Sequence, residues 1–359
     1  MGAAIKGRGS TGHLPGRFEV TVNEAVDDGW HGEPAEEFIE PLPRTQVREE
    51  RARSIISRNT SPDISFSQSV NPYRGCEHGC SYCFARPSHA YLGLSPGLDF
   101  ETRIFAKTNA PDLLRAELAR PGYRCSPIAL GINTDAYQPI ERKLQLTRRL
   151  IEVLADARHP FTIITKNALV LRDLDLLQPL ARDRLVRVYF SVTTLDNRLS
   201  AALEPRASAP HARLRAIGRL REAGVEVGAM FAPVIPWVND HELEALLEAV
   251  RKAGASAAGY VLLRLPHEVS PLFRDWLQTH LPDRAAHVMS TINQLRGGKD
   301  YDASFGKRMS GQGVYADLLA RRFALALKRL GFPPREGDGL ECGLFRAPRL
   351  PSPQGDLFA

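Results

Sequence analysis

Apolar residues fall into short runs separated by amphipathic stretches. Ile64, Phe66 and Val70 alternate with polar neighbours, and five runs follow, at 128–132, 161–164, 186–190, 225–230 and 260–263. Each run is continuous enough to be a strand buried on both faces. The segments between them have helical spacing. Leu113, Leu114 and Leu118 stop at Pro121-Gly122; Ile140, Leu144, Ile151 and Leu154 stop at His159-Pro160; Leu214, Ile217 and Leu220 stop at Gly224. A fourth set, Leu243, Leu246, Leu247 and Val250, ends at Gly254, with Asn239 and Glu242 before it at capping-box spacing. Strand and helix alternate six times in about 200 residues, which predicts parallel strands with right-handed crossovers. Six units are fewer than the eight that close a full barrel. The expected class is therefore α/β, a partial (β/α)6 barrel whose gap admits a large substrate.

Outside this rhythm the pattern changes. Residues 1–58 carry few periodic apolar positions beyond Phe18, Val20 and Val22, which alternate as in a short strand. They read as an arm, partly disordered, and basic toward its end at Arg44, Arg48, Arg51, Arg53 and Arg58. The barrel is expected over 59–266 and a helical extension over 267–346. The extension would hold helices at 272–281, 285–295 and 314–330, with a polar loop from Gly297-Gly298 through Ser310. An extended tail, 347–359, follows.

Composition narrows the class. A hydrophobic content of 43% in 359 residues is enough for a large core. No apolar run nears the ~18 residues of a membrane span, and Met1 to Gly16 has no apolar signal-peptide region. No membrane partner and a cytoplasmic location are expected. Five cysteines, three of them clustered, fit a reducing compartment, with Cys125 and Cys342 each expected to be a buried small hydrophobe. The net charge of +6 permits a polyanionic partner.

Cys76, Cys80 and Cys83 carry the strongest chemical signal, a C-x3-C-x2-C run with Phe84 after the last cysteine. Three thiolates on one loop can each bind one iron of a cubane cluster and leave the fourth iron open for reaction. Zinc would need a fourth ligand, and His78, inside the loop, is cramped for that role. Gly75 and Gly79 supply tight turns. In parallel β/α folds, ligands sit at the C-terminal strand ends. That rule selects Asn133-Thr134-Asp135, Thr165-Lys166-Asn167 and Ser191-Val192-Thr193-Thr194, expected around one cavity.

The cysteine run resembles the cluster loop of the radical S-adenosylmethionine (SAM) superfamily. Further stretches resemble its spore photoproduct lyase branch of DNA repair enzymes: Asn71 to Phe84, Thr134-Asp135, Phe161 to Lys166, Phe190-Ser191-Val192, Leu203-Glu204-Pro205 with Arg213, and Ala223-Gly224 through Ala232-Pro233. The resemblance implies a 4Fe-4S cluster on the three cysteines and SAM as cofactor. It also implies an electron donor such as flavodoxin or ferredoxin, and cleavage of SAM to methionine and a 5′-deoxyadenosyl radical. By the same resemblance Thr134, Lys166 and Ser191, with Asp135 at the same strand end as Thr134, would contact SAM. Lys166 would meet its carboxylate. The Gly-Gly-Glu run of many radical SAM enzymes is absent. The lyase also has a hydrogen-donating cysteine where this chain has Ile132, which leaves Tyr73, Tyr82 and Tyr137 as candidate donors.

The leading functional expectation is radical chemistry on a nucleic acid, with DNA favoured and Lys307 and Arg308 as candidate contacts. The alternatives are the same chemistry on a protein, peptide or small metabolite, and a non-catalytic iron–sulfur accessory protein. In the tail, Gln354, Leu357 and Phe358 resemble the short peptide by which bacterial DNA enzymes dock on the replication sliding clamp. Absence of clamp binding in calorimetry would remove that expectation.

Overall fold

The computed structural model describes residues 5–19, 44–333 and 339–349. Val20, Val22 and the tail residues Gln354, Leu357 and Phe358 lie outside them, and Phe18 lies in a turn. Six parallel strands stand side by side in chain order: Gln68–Val70, Ile128–Leu130, Phe161–Thr165, Val186–Ser191, Glu226–Val234 and Ala257–Leu262. Ile56–Arg58 adds an antiparallel edge beside the first. Among the described residues the first and sixth strands do not pair, so this is the open, partial barrel that the six-fold rhythm predicts. Phe161, Ile163, Val188, Phe190 and Val227 are fully buried. Burial of each such side chain contributes about 1.5–3 kcal/mol.

The crossover helices follow the apolar spacing, with three differences. The stretch at 140–154 is two helices, Glu141–Leu144 and Leu146–Asp156, because Gln145 between them takes a left-handed φ of 51°. Between the third and fourth strands lie a 3-10 turn, Ala168–Asp173, and a helix, Leu174–Arg182, which the apolar spacing does not predict. Pro179 sits inside that helix and masks its spacing.

The third difference corrects the capping box. Asn239 instead accepts the Ile235 amide and donates to the Thr193 and Pro233 carbonyls, at 2.6, 2.7 and 3.0 Å. Glu242 accepts the Thr194 hydroxyl and the Leu195 amide. Both side chains tie loops at strand ends, and the helix starts at Leu243.

The arm is not all extended coil. Gln46–Glu50 is a strand parallel to Arg103–Lys107, which also pairs with Tyr73–Arg74. The strand is charged and mostly exposed, so no apolar alternation announced it. In the extension, Val269–His280, Pro282–Leu295 and Val314–Arg329 form close to the expected bounds. Phe273, Trp276, Val288 and Ile292 build a second core against Tyr82, Leu203 and Val238, behind the cysteine loop. No described helix is long and apolar enough to cross a membrane.

Candidate functional site at the cysteine loop

The loop is shaped by backbone constraints that its sequence supplies. Gly75 and Gly79 have φ of 78° and 67°. A side chain at Gly75 would come within 2.9 Å of the Phe100 carbonyl, and one at Gly79 within 2.7 Å of the Glu101 carboxylate. The Cys76 amide donates to the Phe100 carbonyl at 2.9 Å. Arg86, fully buried, donates to the carbonyls of Cys80, Pro96 and Gly97 and pairs with Glu101 at 2.5 Å. The same carboxylate accepts the Gly9 and Ser10 amides at 3.1 and 3.0 Å. Residues 9 and 10, read as arm, thus brace the loop from behind.

All three cysteines line one cavity of about 430 Å³. Burial pushes each thiol up. The Asp135 carboxylate and the other two cysteines push Cys76 further, and Glu204 does so for Cys80. Binding of cationic iron offsets that cost by replacing the protons. Among the described residues no group of three or more His, Cys, Asp or Glu side chains converges on a single metal point. Three thiols lining one cavity suit a cluster in which each binds its own iron. His78 is buried on the wall of the same cavity. Its Nδ1 lies 3.3 Å from Asp135, off the line of a hydrogen bond, and its Nε2 meets the Asn167 amide at 3.2 Å.

The strand ends divide by role. Asp135 lines the cavity, but its carboxylate is occupied by the Thr165 hydroxyl, the Lys166 amide and the Tyr137 amide at 2.7, 2.7 and 2.8 Å. Burial alone would raise its pKa; His78 and these donors outweigh that and hold it at about 2. Thr134 turns away, donating to the Tyr73 carbonyl at 3.0 Å, and the wall there is Gly131, Ile132, Asn133 and Asp135. Lys166 and Ser191 both face the cavity, and the Lys166 ammonium donates to the Ser191 hydroxyl at 2.9 Å.

Beneath them lies a buried network. Glu204 accepts from Tyr82, from Thr193 at 2.6 Å and from Arg213, and Lys166 stands 3.9 Å away. Burial opposes the Glu204 charge, yet Arg213, Lys166, Thr193 and Tyr82 hold its pKa at about 2.

Two candidate hydrogen donors are corrected. The Tyr73 hydroxyl bonds Glu141 and the Tyr137 hydroxyl bonds Asp173, both in the core and away from the cavity. Tyr82 does line the cavity, with its hydroxyl on Glu204 and its ring 5.9 Å from the Lys166 ammonium. At the mouth, Arg308 lines the wall but is paired with Asp63 and Ser61, both at 2.5 Å. Lys307 is exposed and outside the cavity. Arg264, just past the sixth strand, is a wall residue missing from the sequence-based candidates, although the strand-end rule selects it. Its guanidinium sits 4.9 Å over the Phe84 ring, donates to the Tyr301 hydroxyl at 3.4 Å and acts electrostatically on Asp63.

A family model described as the radical SAM superfamily matches residues 70–250, just over half the chain, including the three cysteines, Asp135, Lys166 and Ser191. The chain belongs to the radical SAM superfamily. It is 40% identical over 222 residues to an uncharacterized protein of Mycobacterium bovis, covering 61% of this chain and 65% of that one. An uncharacterized protein of Methanocaldococcus jannaschii is 30% identical over 192 residues, covering 54% and 69%. The chain thus spans just under two thirds of the mycobacterial relative's length. Among solved structures, spore photoproduct lyase complexed with dinucleoside spore photoproduct aligns over 79% of each chain, with a TM-score of 0.54 and 16% identity. That is a likeness of fold.

Members of that superfamily use a 4Fe-4S cluster and SAM, and the three thiols around this cavity suit such a cluster. When bound, the cluster supplies the electron that cleaves SAM to methionine and a 5′-deoxyadenosyl radical. Around it, Cys76, Cys80 and Cys83 would provide the thiolates. The apolar part of the wall includes Ile64, Phe66, Ile132, Ile164 and Met230.

Proposed function

We propose that this enzyme abstracts hydrogen from a nucleic-acid substrate, DNA in preference, in repair or modification. The observation that carries the reading is the cavity mouth. Arg264, which also donates to the Tyr301 hydroxyl at 3.4 Å, lies over the Phe84 ring beside the last cluster cysteine. Cation and ring together suit a phosphate and a base plane. Arg308 lines the same cavity and carries the largely exposed Phe305 ring 4.7 Å from its guanidinium. The likeness of fold to a lyase solved with a dinucleoside lesion supports the reading.

Within the cavity, Lys166 would meet the SAM carboxylate and Ser191 its polar groups, with Asn133 on the wall where Thr134 turns away. Electrons would come from a flavodoxin- or ferredoxin-like donor.

The test is anaerobic reconstitution with dithionite and SAM. 5′-Deoxyadenosine release should rise with ultraviolet-irradiated DNA. Arg264→Ala should weaken DNA binding by about 10-fold or more, the worth of a charged hydrogen bond, and flatten its salt dependence. Release that ignores DNA but responds to a peptide or metabolite would replace the reading. Lys166→Ala should weaken SAM binding by about 1.5–3 kcal/mol in anaerobic calorimetry while iron content stays whole. Unchanged SAM affinity would leave Lys166 as a partner of Ser191 and Glu204 alone.

A further inference from the structure

Lys166 and Ser191 reach the cavity from neighbouring strands, and one buried side chain holds both from behind. Arg213 stands on the helix Pro210–Glu222. Its Nε donates to the Ser208 carbonyl at 2.6 Å, and the Ser208 amide donates to the Lys166 carbonyl at 3.2 Å. One terminal nitrogen donates to the Ser191 carbonyl at 2.9 Å, and the other pairs with Glu204. All three guanidinium nitrogens are thus engaged, two on backbone behind the cavity and one on a carboxylate.

Glu204 lies between two cations. Its Oε2 accepts from Arg213, and its Oε1 accepts from the Tyr82 hydroxyl and from Thr193 at 2.6 Å. The Lys166 ammonium stands 3.9 Å from Oε1, beyond hydrogen-bond reach. It donates instead to the Ser191 hydroxyl at 2.9 Å, and that hydroxyl donates to the Ala232 carbonyl at 3.0 Å. One hydrogen bond engages one of the three ammonium donors. Because Arg213 already balances Glu204, the Lys166 charge stays on the cavity side.

We propose that Arg213 is a positioning residue for SAM: it neutralises Glu204 and fixes the Ser191 backbone, which leaves the Lys166 ammonium available to the SAM carboxylate. The inference rests on the reading of Lys166 as the carboxylate contact. Without Arg213, Lys166 is the cation 3.9 Å from an unbalanced interior carboxylate. A shift of about 1 Å would bring the two into hydrogen-bond contact and draw the ammonium off the cavity.

The experiment is anaerobic calorimetry of SAM on the cluster-loaded protein, with no reductant present so that SAM is not cleaved. Arg213→Met should weaken SAM binding about 10-fold while iron content stays whole. Adding Glu204→Leu should restore affinity to within about threefold of wild type, because no carboxylate remains to capture Lys166. Decarboxylated SAM should bind wild type and Arg213→Met alike, whereas a loosened cavity would weaken both ligands. Arg213→Gln, which can still bond Glu204 without neutralising it, replaces Arg213→Met if the latter does not fold. Lys166→Ala is the reference. Unchanged SAM affinity in Lys166→Ala would remove the reading of Lys166, and this inference with it. If Lys166→Ala weakens SAM but the folded Arg213 variant does not, the inference alone fails. It also fails if the double variant stays weak, or if decarboxylated SAM loses as much affinity as SAM.

Discussion

Replacing Cys76, Cys80 or Cys83 by alanine, one at a time, removes both cluster retention and SAM cleavage. The wild-type chain should hold about four irons after reconstitution and change its EPR spectrum on addition of SAM. The size of the effect follows from the site. Each thiol lines the same cavity, and His78 on that wall has its Nε2 engaged with the Asn167 amide. With two thiolates, one further iron lies bare and the cluster has too few anchors to persist. The loop should keep its fold, because its shape rests on Gly75, Gly79 and the Arg86–Glu101 pair and not on the sulfurs. Cys125→Ala, far from the cavity, is the control and should retain full iron. Full iron and activity in all three single variants would overturn the assignment of the cluster.

The cluster loop was legible because its chemistry is local: three thiols, two glycines and an aromatic residue within ten positions. The parallel strands were legible because they leave continuous apolar runs such as 161–164, although in that strand buried and half-buried residues alternate. What could not be read was what side chains do after the chain has folded. Thr134 and Asp135 are adjacent in sequence, yet one faces the Tyr73 carbonyl and the other the cavity. Tyr73, Tyr82 and Tyr137 look alike as donors until Glu141, Glu204 and Asp173 claim their hydroxyls. Arg308 reads as a free cation until Asp63, 245 residues earlier, takes it. Each is a long-range pairing of single residues, which leaves no period in the sequence.

Breaking the buried Glu204–Arg213 pair should cost far more stability than breaking an exposed ion pair. Both side chains are essentially inaccessible to solvent, and Arg213 also donates to the Ser208 and Ser191 carbonyls at 2.6 and 2.9 Å. Arg213→Met keeps most of the volume but strands a carboxylate in the interior, at a cost of about 3–5 kcal/mol. Urea denaturation should show that loss as a lower midpoint with little change in slope.

The acid limb follows from the same pair. The Glu204 pKa is about 2 in the fold, below the ordinary value of about 4.3 for an unfolded chain. Its stabilisation is therefore complete above the unfolded value and is lost as pH falls toward 2. In Arg213→Met the Glu204 pKa rises, so part of the acid sensitivity between about pH 5 and 2 should disappear. Adding Glu204→Leu to Arg213→Met should recover stability relative to the single variant, because no uncompensated charge remains. Arg219→Met, which breaks only the exposed pair with Glu222, should cost less than about 1 kcal/mol. Equal losses from Arg213→Met and Arg219→Met would show that the interior carboxylate is stabilised by something other than Arg213.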